Sequence, residues 1–130
     1  MKGLAAVVTA VVVAAVAALV LSPSAPGAAR LSGKYRGQIT SGFLKGTWTM
    51  TFNRSRLTYK VTGPFGSLTG RNRYNGSQIT FYKESEGTIC PGAGVYRYRL
   101  SGRTLKFTKV REACNPRAIV TARPTYRKVG

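Results

Sequence analysis

From Gly33 onward bulky apolar side chains recur at every second position, and this period constrains the chain more than any other feature of it. In Gly46-Thr47-Trp48-Thr49-Met50-Thr51-Phe52 one face is apolar and the other hydroxylated, the pattern of a strand with one side on a core. The same rule predicts a first strand at Tyr35 and Ile39, a third at Leu57, Tyr59 and Val61, and a fourth at Leu68 and Tyr74. Ile79 with Phe81, then Tyr96, Tyr98 and Leu100, then Leu105 and Phe107, and last Ala118, Val120 and Ala122 complete eight. No window carries a helical stripe.

Turn chemistry separates these strands. Asn75-Gly76 is a strong hairpin signal, and pairing outward from it sets Tyr74 against Ser77, Asn72 against Ile79 and Gly70 against Phe81. Gly102-Arg103 fits a two-residue turn with glycine first, which places Leu100 opposite Leu105 and Tyr98 opposite Phe107. The two hairpins Gly46-x-Trp48-x-Met50-x-Phe52 and Gly94-x-Tyr96-x-Tyr98-x-Leu100 echo each other, a convergence that meander hairpins reach without duplication. Eight antiparallel strands in about 100 residues favour an all-β, closed up-and-down barrel, because closure removes exposed sheet edges; an open two-layer sandwich is the alternative. Strand parity then puts the turns at 53–56, 75–76 and 102–103 on one rim. The longer connections at 41–44, 63–66, 84–93 and 111–116 fall on the other, with both cysteines and all three acids, so the mouth is expected there.

The barrel is preceded by a different kind of segment. After Met1-Lys2 the residues from Leu4 to Leu21 are almost wholly Ala, Val and Leu. Helix breakers follow, and Gly27-Ala28-Ala29 supplies small residues, so residues 1–29 read as a secretory leader cut near Ala29 or as a retained N-terminal membrane anchor. Either way the domain at 30–130 is expected outside the cytoplasmic membrane, extracellular or at the cell surface. Cys90 and Cys114 are the only cysteines, and in an exported chain an even count reads as a disulfide. Closing a loop of about 25 residues stabilises a fold by roughly 3 to 3.5 kcal/mol in the chain-entropy picture.

Composition removes most catalytic readings. The chain has 21 Lys and Arg against 3 acids, all of them glutamate, and it has no His and no Asp. A Ser-His-Asp triad, a Cys-His pair, a His-bound metal and an Asp-led magnesium site all lack their parts. The expectation is a non-enzymatic protein with no catalytic residue, no metal and no cofactor. Paired carboxylates drawn from Glu84, Glu86 and Glu112 are a poor basis for glycoside chemistry, because their nearest polar neighbours are cations. Arg111 and Arg117 instead suggest local ion pairs with Glu86 and Glu112 that hold the rim loops.

At Gly46-Thr47-Trp48 the chain resembles the Gly-x-Trp opening of the calycin superfamily, the lipocalin-like and avidin-like barrels, and Leu68-Thr69-Gly70 is similar to the Leu-Thr-Gly strand of avidin-like sequences. The resemblance implies a small-ligand carrier with an aromatic-lined cavity. Biotin is not implied, because Trp48 stands alone and Asp is absent.

Two candidate sites follow from the strand pattern. The inward set Trp48, Met50, Tyr59, Phe81, Tyr96, Tyr98 and Phe107 either lines a ligand cavity or fills the core, since an eight-stranded barrel is just wide enough for either. Small inward residues, Gly37, Gly70, Ala118 and Ala122, leave room for a cavity. The second candidate is the outer wall. Without Lys2 the remainder carries 20 basic and 3 acidic side chains, a formal +17, which attracts anions. Arg99 faces Lys106 across a hairpin with Arg97 beside them, and Arg71 with Arg73 makes a second row. The first reading is a barrel that binds a small apolar or amphipathic ligand with an anionic head. The alternative is a cationic module for anionic polymers or membrane surfaces with a packed core. Nucleic acid is the weaker form of that alternative, since Tyr82 is the main outward ring. An enzyme inhibitor acting through the rim loop fits the fold but has no motif.

Overall fold

The computed structural model describes residues 30–85 and 90–130. The apolar run at 4–21, its reading as leader or anchor, and Glu86 therefore lie outside the described residues. Among the described residues no helix is long and apolar enough to cross a membrane.

Eight strands close into one antiparallel barrel in chain order: β1 (Gly33–Ile39), β2 (Gly46–Asn53), β3 (Thr58–Gly63), β4 (Gly66–Asn75), β5 (Gln78–Tyr82), β6 (Gly94–Ser101), β7 (Thr104–Arg111) and β8 (Tyr126–Lys128). The alternation predicts the faces. Tyr35 and Ile39, Trp48, Met50 and Phe52, Tyr59, Ile79 and Phe81, Tyr96 and Tyr98, and Leu105 and Phe107 are all buried, while the threonines and cations between them face outward. Closure rules out the open sandwich, because β1 pairs with both β2 and β8.

Two hairpins test the turn chemistry. At Gly102-Arg103 the register is the expected one, with Arg99 against Lys106, Tyr98 against Phe107 and Leu100 against Leu105. At Asn75 it is not. Asn75 still belongs to β4 and pairs with Gln78, so Gly76 and Ser77 make the turn, and Asn72 faces Phe81. The reason is glycine's place in a two-residue turn: Gly76 (φ 63°) and Gly102 (φ 62°) both occupy the first position in the left-handed region. The pairing moves by two residues, so every side chain keeps its face. Gly70 is consequently covered by the Tyr59 ring across β3, not by Phe81.

The eighth strand is a larger correction. Ala118, Val120 and Ala122 lie on a helix, α1 (Asn115–Ala122), and the closing strand comes later, at Tyr126–Lys128. Pro116 sits in the first turn, where its missing N–H costs nothing, and Pro124 follows the end. The buried residues Arg117, Val120 and Thr121 are three and four apart, which is helical spacing. Ile119, Val120 and Thr121 are β-branched, so local propensity pointed the wrong way and packing against β7 overrides it. Lys106 secures the far end: its ammonium donates to the carbonyls of Ala122 (2.7 Å), Arg123 (3.0 Å) and Pro124 (3.2 Å). The Tyr126 hydroxyl donates to the Val120 carbonyl at 2.5 Å.

From the short turns up to the floor of the opposite rim the barrel is filled. Phe52, Phe81, Tyr96, Phe107 and Tyr126 form a chain of ring contacts with centroids 5.8 to 6.5 Å apart, mostly edge-on or tilted. That is the arrangement aromatic quadrupoles favour. Leu31 closes this end from below, with its N–H donating to the Tyr74 hydroxyl at 3.1 Å. The small inward positions are used by rings as well: Gly37 lies under Pro124 and Tyr126. Residues 31–129 thus hold the core, the strand pairings and the disulfide, so this segment carries its own folding determinants.

Candidate functional site

At the opposite rim the packing opens. A cleft of about 280 Å³ lies between α1 and strands β2 to β4, walled by Trp48, Met50, Val61, Leu68 and Val120, with Leu44 and Phe65 at its edge. Each wall has a local reason. Trp48 is held by its indole N–H, which donates to the Leu44 carbonyl at 2.8 Å, and its ring lies against Gly63, where any side chain would collide with it. Val61 and Leu68 face each other across β3 and β4 but are only half buried, because the cleft lies over them.

The polar end of the cleft is a buried charge cluster. Arg117, projecting from the first turn of α1, grips Glu112 with Nε (2.7 Å to Oε1) and Nη2 (2.9 Å to Oε2). Its Nη2 also donates to the Gly92 carbonyl at 2.7 Å, and its Nη1 lies 3.1 Å from Glu84 Oε1. Among the described residues this ion pair is the contact made by Nη1. The side chains of Arg117, Glu84 and Glu112 are 6%, 5% and 0% exposed. Tyrosines complete the group: the Tyr96 hydroxyl donates to Glu112 Oε1 at 2.5 Å and the Tyr59 hydroxyl donates to Glu84 Oε2. The Cys114 N–H gives Glu112 Oε2 a further bond at 3.1 Å.

Two backbone features put these groups together. Alternation along β5 would turn Glu84 outward, but Lys83 adopts a left-handed conformation (φ 49°), so the lysine goes to solvent and Glu84 turns in. Gly94 leaves the space that Glu112 and Arg117 occupy; a Cβ there would strike the Glu112 carboxylate. The disulfide joins Cys90 to Cys114, with Cα atoms 5.5 Å apart, beside the start of α1.

Burial alone would raise the Glu112 carboxyl, but the bonds from Arg117, Tyr96 and Cys114 outweigh it and hold it below the ordinary carboxylate range. Burial opposes the Arg117 charge too, and its two carboxylates more than compensate, so it holds its proton more firmly than usual. Desolvation, reinforced by the neighbouring carboxylates, pushes the Tyr59 and Tyr96 phenols up. Among the described residues Glu112 accepts four bonds, while Glu84, which borders the cleft, accepts one from Tyr59 and faces Arg117 Nη1. Two carboxylates meet one guanidinium, a formal charge of −1 inside a strongly cationic protein.

Of the seven inward residues expected to line a cavity, Trp48, Met50, Tyr59 and Phe81 border this cleft. Tyr96, Tyr98 and Phe107 pack in the core instead, Tyr96 reaching the charge cluster through its hydroxyl. Glu112 pairs with Arg117 as a local rim contact, whereas Arg111 is exposed. The share of Glu84 and the α1 wall escaped sequence reasoning; the prolines at 116 and 124 and the spacing 117, 120, 121 carried the signal. On the outer wall Arg71, Arg73, Arg97 and Arg99 are exposed. Lys106 is committed to the end of α1, and Arg73 lies over the Tyr82 ring at 4.8 Å, so that ring is covered. Comparison of the chain with protein-family models, with curated proteins and with solved structures gives no match. The eight-stranded barrel itself is compatible with a calycin-like fold.

Proposed function

We propose that this is an exported, non-enzymatic barrel that binds a small amphipathic molecule in the rim cleft. The observation that carries the reading is the pairing of an apolar-walled space of about 280 Å³ with one polar end, near the lower size of small-molecule sites. The apolar body of the ligand lies between Trp48, Leu68 and Val120. Its head meets Glu84 and Arg117. Because Glu84 borders the cleft and the cluster is formally negative as a whole, the favoured head carries a hydrogen-bond donor, such as an amine or a hydroxyl, in place of the anionic head expected from composition. The disulfide fits an extracytoplasmic location.

The test is titration with octylamine, octanol and octanoate at high salt, followed by Trp48 fluorescence and melting temperature. The cationic exterior repels the amine, so saturable amine binding reports the cleft. The expected result is a rise in melting temperature and a stronger effect for amine and alcohol than for octanoate. Absence of saturation with all three overturns the proposal.

A second reading rests on the outer wall. Among the described residues both glutamate side chains are buried in the cluster, so every exposed charged side chain there is a cation. This supports adsorption to an anionic partner, which must weaken steeply as salt rises.

A further inference from the structure

Two large rings are exposed on the long-loop rim of the barrel, Phe65 at the edge of the cleft. Phe43 is 72% and Phe65 71% exposed, the most exposed large hydrophobic side chains among the described residues. They sit on the β1–β2 and β3–β4 connections, and Pro64 of the second packs against Gly46, where β2 begins, leaving no room there for a side chain. Each loop is anchored from inside, the first by the Trp48 bond to the Leu44 carbonyl and the second by Gly63 under the Trp48 ring. Both rings therefore project from connections on the same rim that are tied to the Trp48 side chain. Around them on the same rim Lys45, Lys83 and Arg111 are exposed, while Glu84 and Glu112 are turned inside.

Exposed rings on loop tips surrounded by cations are the surface that an interface between apolar chains and anionic headgroups complements. A soluble anionic polymer offers the cations a partner but gives the two rings nothing to enter. We propose that the rim docks on an anionic lipid surface, with Phe43 and Phe65 inserted among the acyl chains and Lys45, Lys83 and Arg111 at the headgroups. The cleft edge, to which Phe65 belongs, then opens toward the bilayer. This rests on the second reading above, that the outer cations engage an anionic partner, and not on what the cleft holds.

The experiment uses the segment from Arg30 onward, so that the apolar run at 4–21 contributes nothing. Its binding to equimolar phosphatidylglycerol–phosphatidylcholine vesicles is measured by sedimentation for the wild type, for Phe43→Ser/Phe65→Ser, and for Leu100→Ser. Leu100 is the control, an exposed apolar side chain (42%) at the opposite rim. Circular dichroism checks that each variant is folded. The expected result is a loss of about tenfold or more in the double variant, an unchanged Leu100→Ser variant, and much weaker binding to pure phosphatidylcholine. Equal binding by the double variant overturns the inference and leaves the anionic reading standing. Wild-type binding to polyphosphate but not to the vesicles does the same, in favour of a polymer. Binding to neither at low salt overturns both.

Discussion

The two ends of this barrel solve the same problem in opposite ways. Toward the short turns the interior is filled by rings and capped by Leu31. Toward the long loops it holds a void bordered by a buried Glu84–Arg117–Glu112 cluster. A filled end needs only hydrocarbon of the right size. An end that stays open needs something to keep its walls apart, and here a helix, a disulfide and a three-charge network do so. Desolvated charges are a costly way to hold structure, and here they border an apolar-walled cleft.

The largest expected effect comes from breaking the network asymmetrically. Arg117→Met leaves two buried carboxylates without their cation and should cost about 3 to 5 kcal/mol, lowering the melting temperature by roughly 12 °C or more in a domain of this size. Replacing all three groups, Glu84→Gln/Glu112→Gln/Arg117→Met, should return stability to within about 1 kcal/mol of wild type or above it, since the desolvation cost leaves with the charges. A mild Arg117→Met variant would erase the distinction between the ends. Next in size is Cys90→Ser/Cys114→Ser, expected to lose about 3 kcal/mol by denaturant melting.

The pH dependence sharpens the contrast. The folded-state Glu112 carboxyl lies below the ordinary value of 4.5, so its contribution is complete above that value and disappears as pH falls through the lowered one. Acid melting should therefore be less steep in Glu112→Gln. On the alkaline side burial pushes the Tyr74 phenol up to about 12 from 10, so its contribution is complete below pH 10 and is lost as pH rises toward 12. The part of the phenolate absorbance that is missing in Tyr74→Phe should appear together with unfolding. The smallest effect belongs to Lys106→Met, about 1 kcal/mol, because the carbonyls at the end of α1 lose a charged donor but stay near water.

The filled end was the more legible one. Most of its residues lie on strands where period two decides burial, and the Gly102-Arg103 turn sets register unaided, although the hairpin at Asn75 pairs two residues away from its expected register and the strand bearing Tyr126 went unread. The open end was less legible because its features depart from period two: the left-handed Lys83 that turns Glu84 inward, the irregularity between Val95 and Tyr96, and the helix in place of an eighth strand at Ala118 to Ala122. Val120 and Thr121 match strand and helix templates alike over so short a stretch, and only the flanking prolines separate them. Asn72 is buried with no hydrogen bond to its side chain among the described residues, and nothing in the structure explains it.

The most direct test of the account is a calorimetric titration of wild type and Leu68→Trp with octylamine at high salt. Leu68 is half buried and borders the void, so the indole should fill it with less than about 1 kcal/mol change in stability. Saturable one-to-one binding by the wild type and none by a folded Leu68→Trp protein is the expected result. Equal binding by both would place the ligand elsewhere and contradict the account.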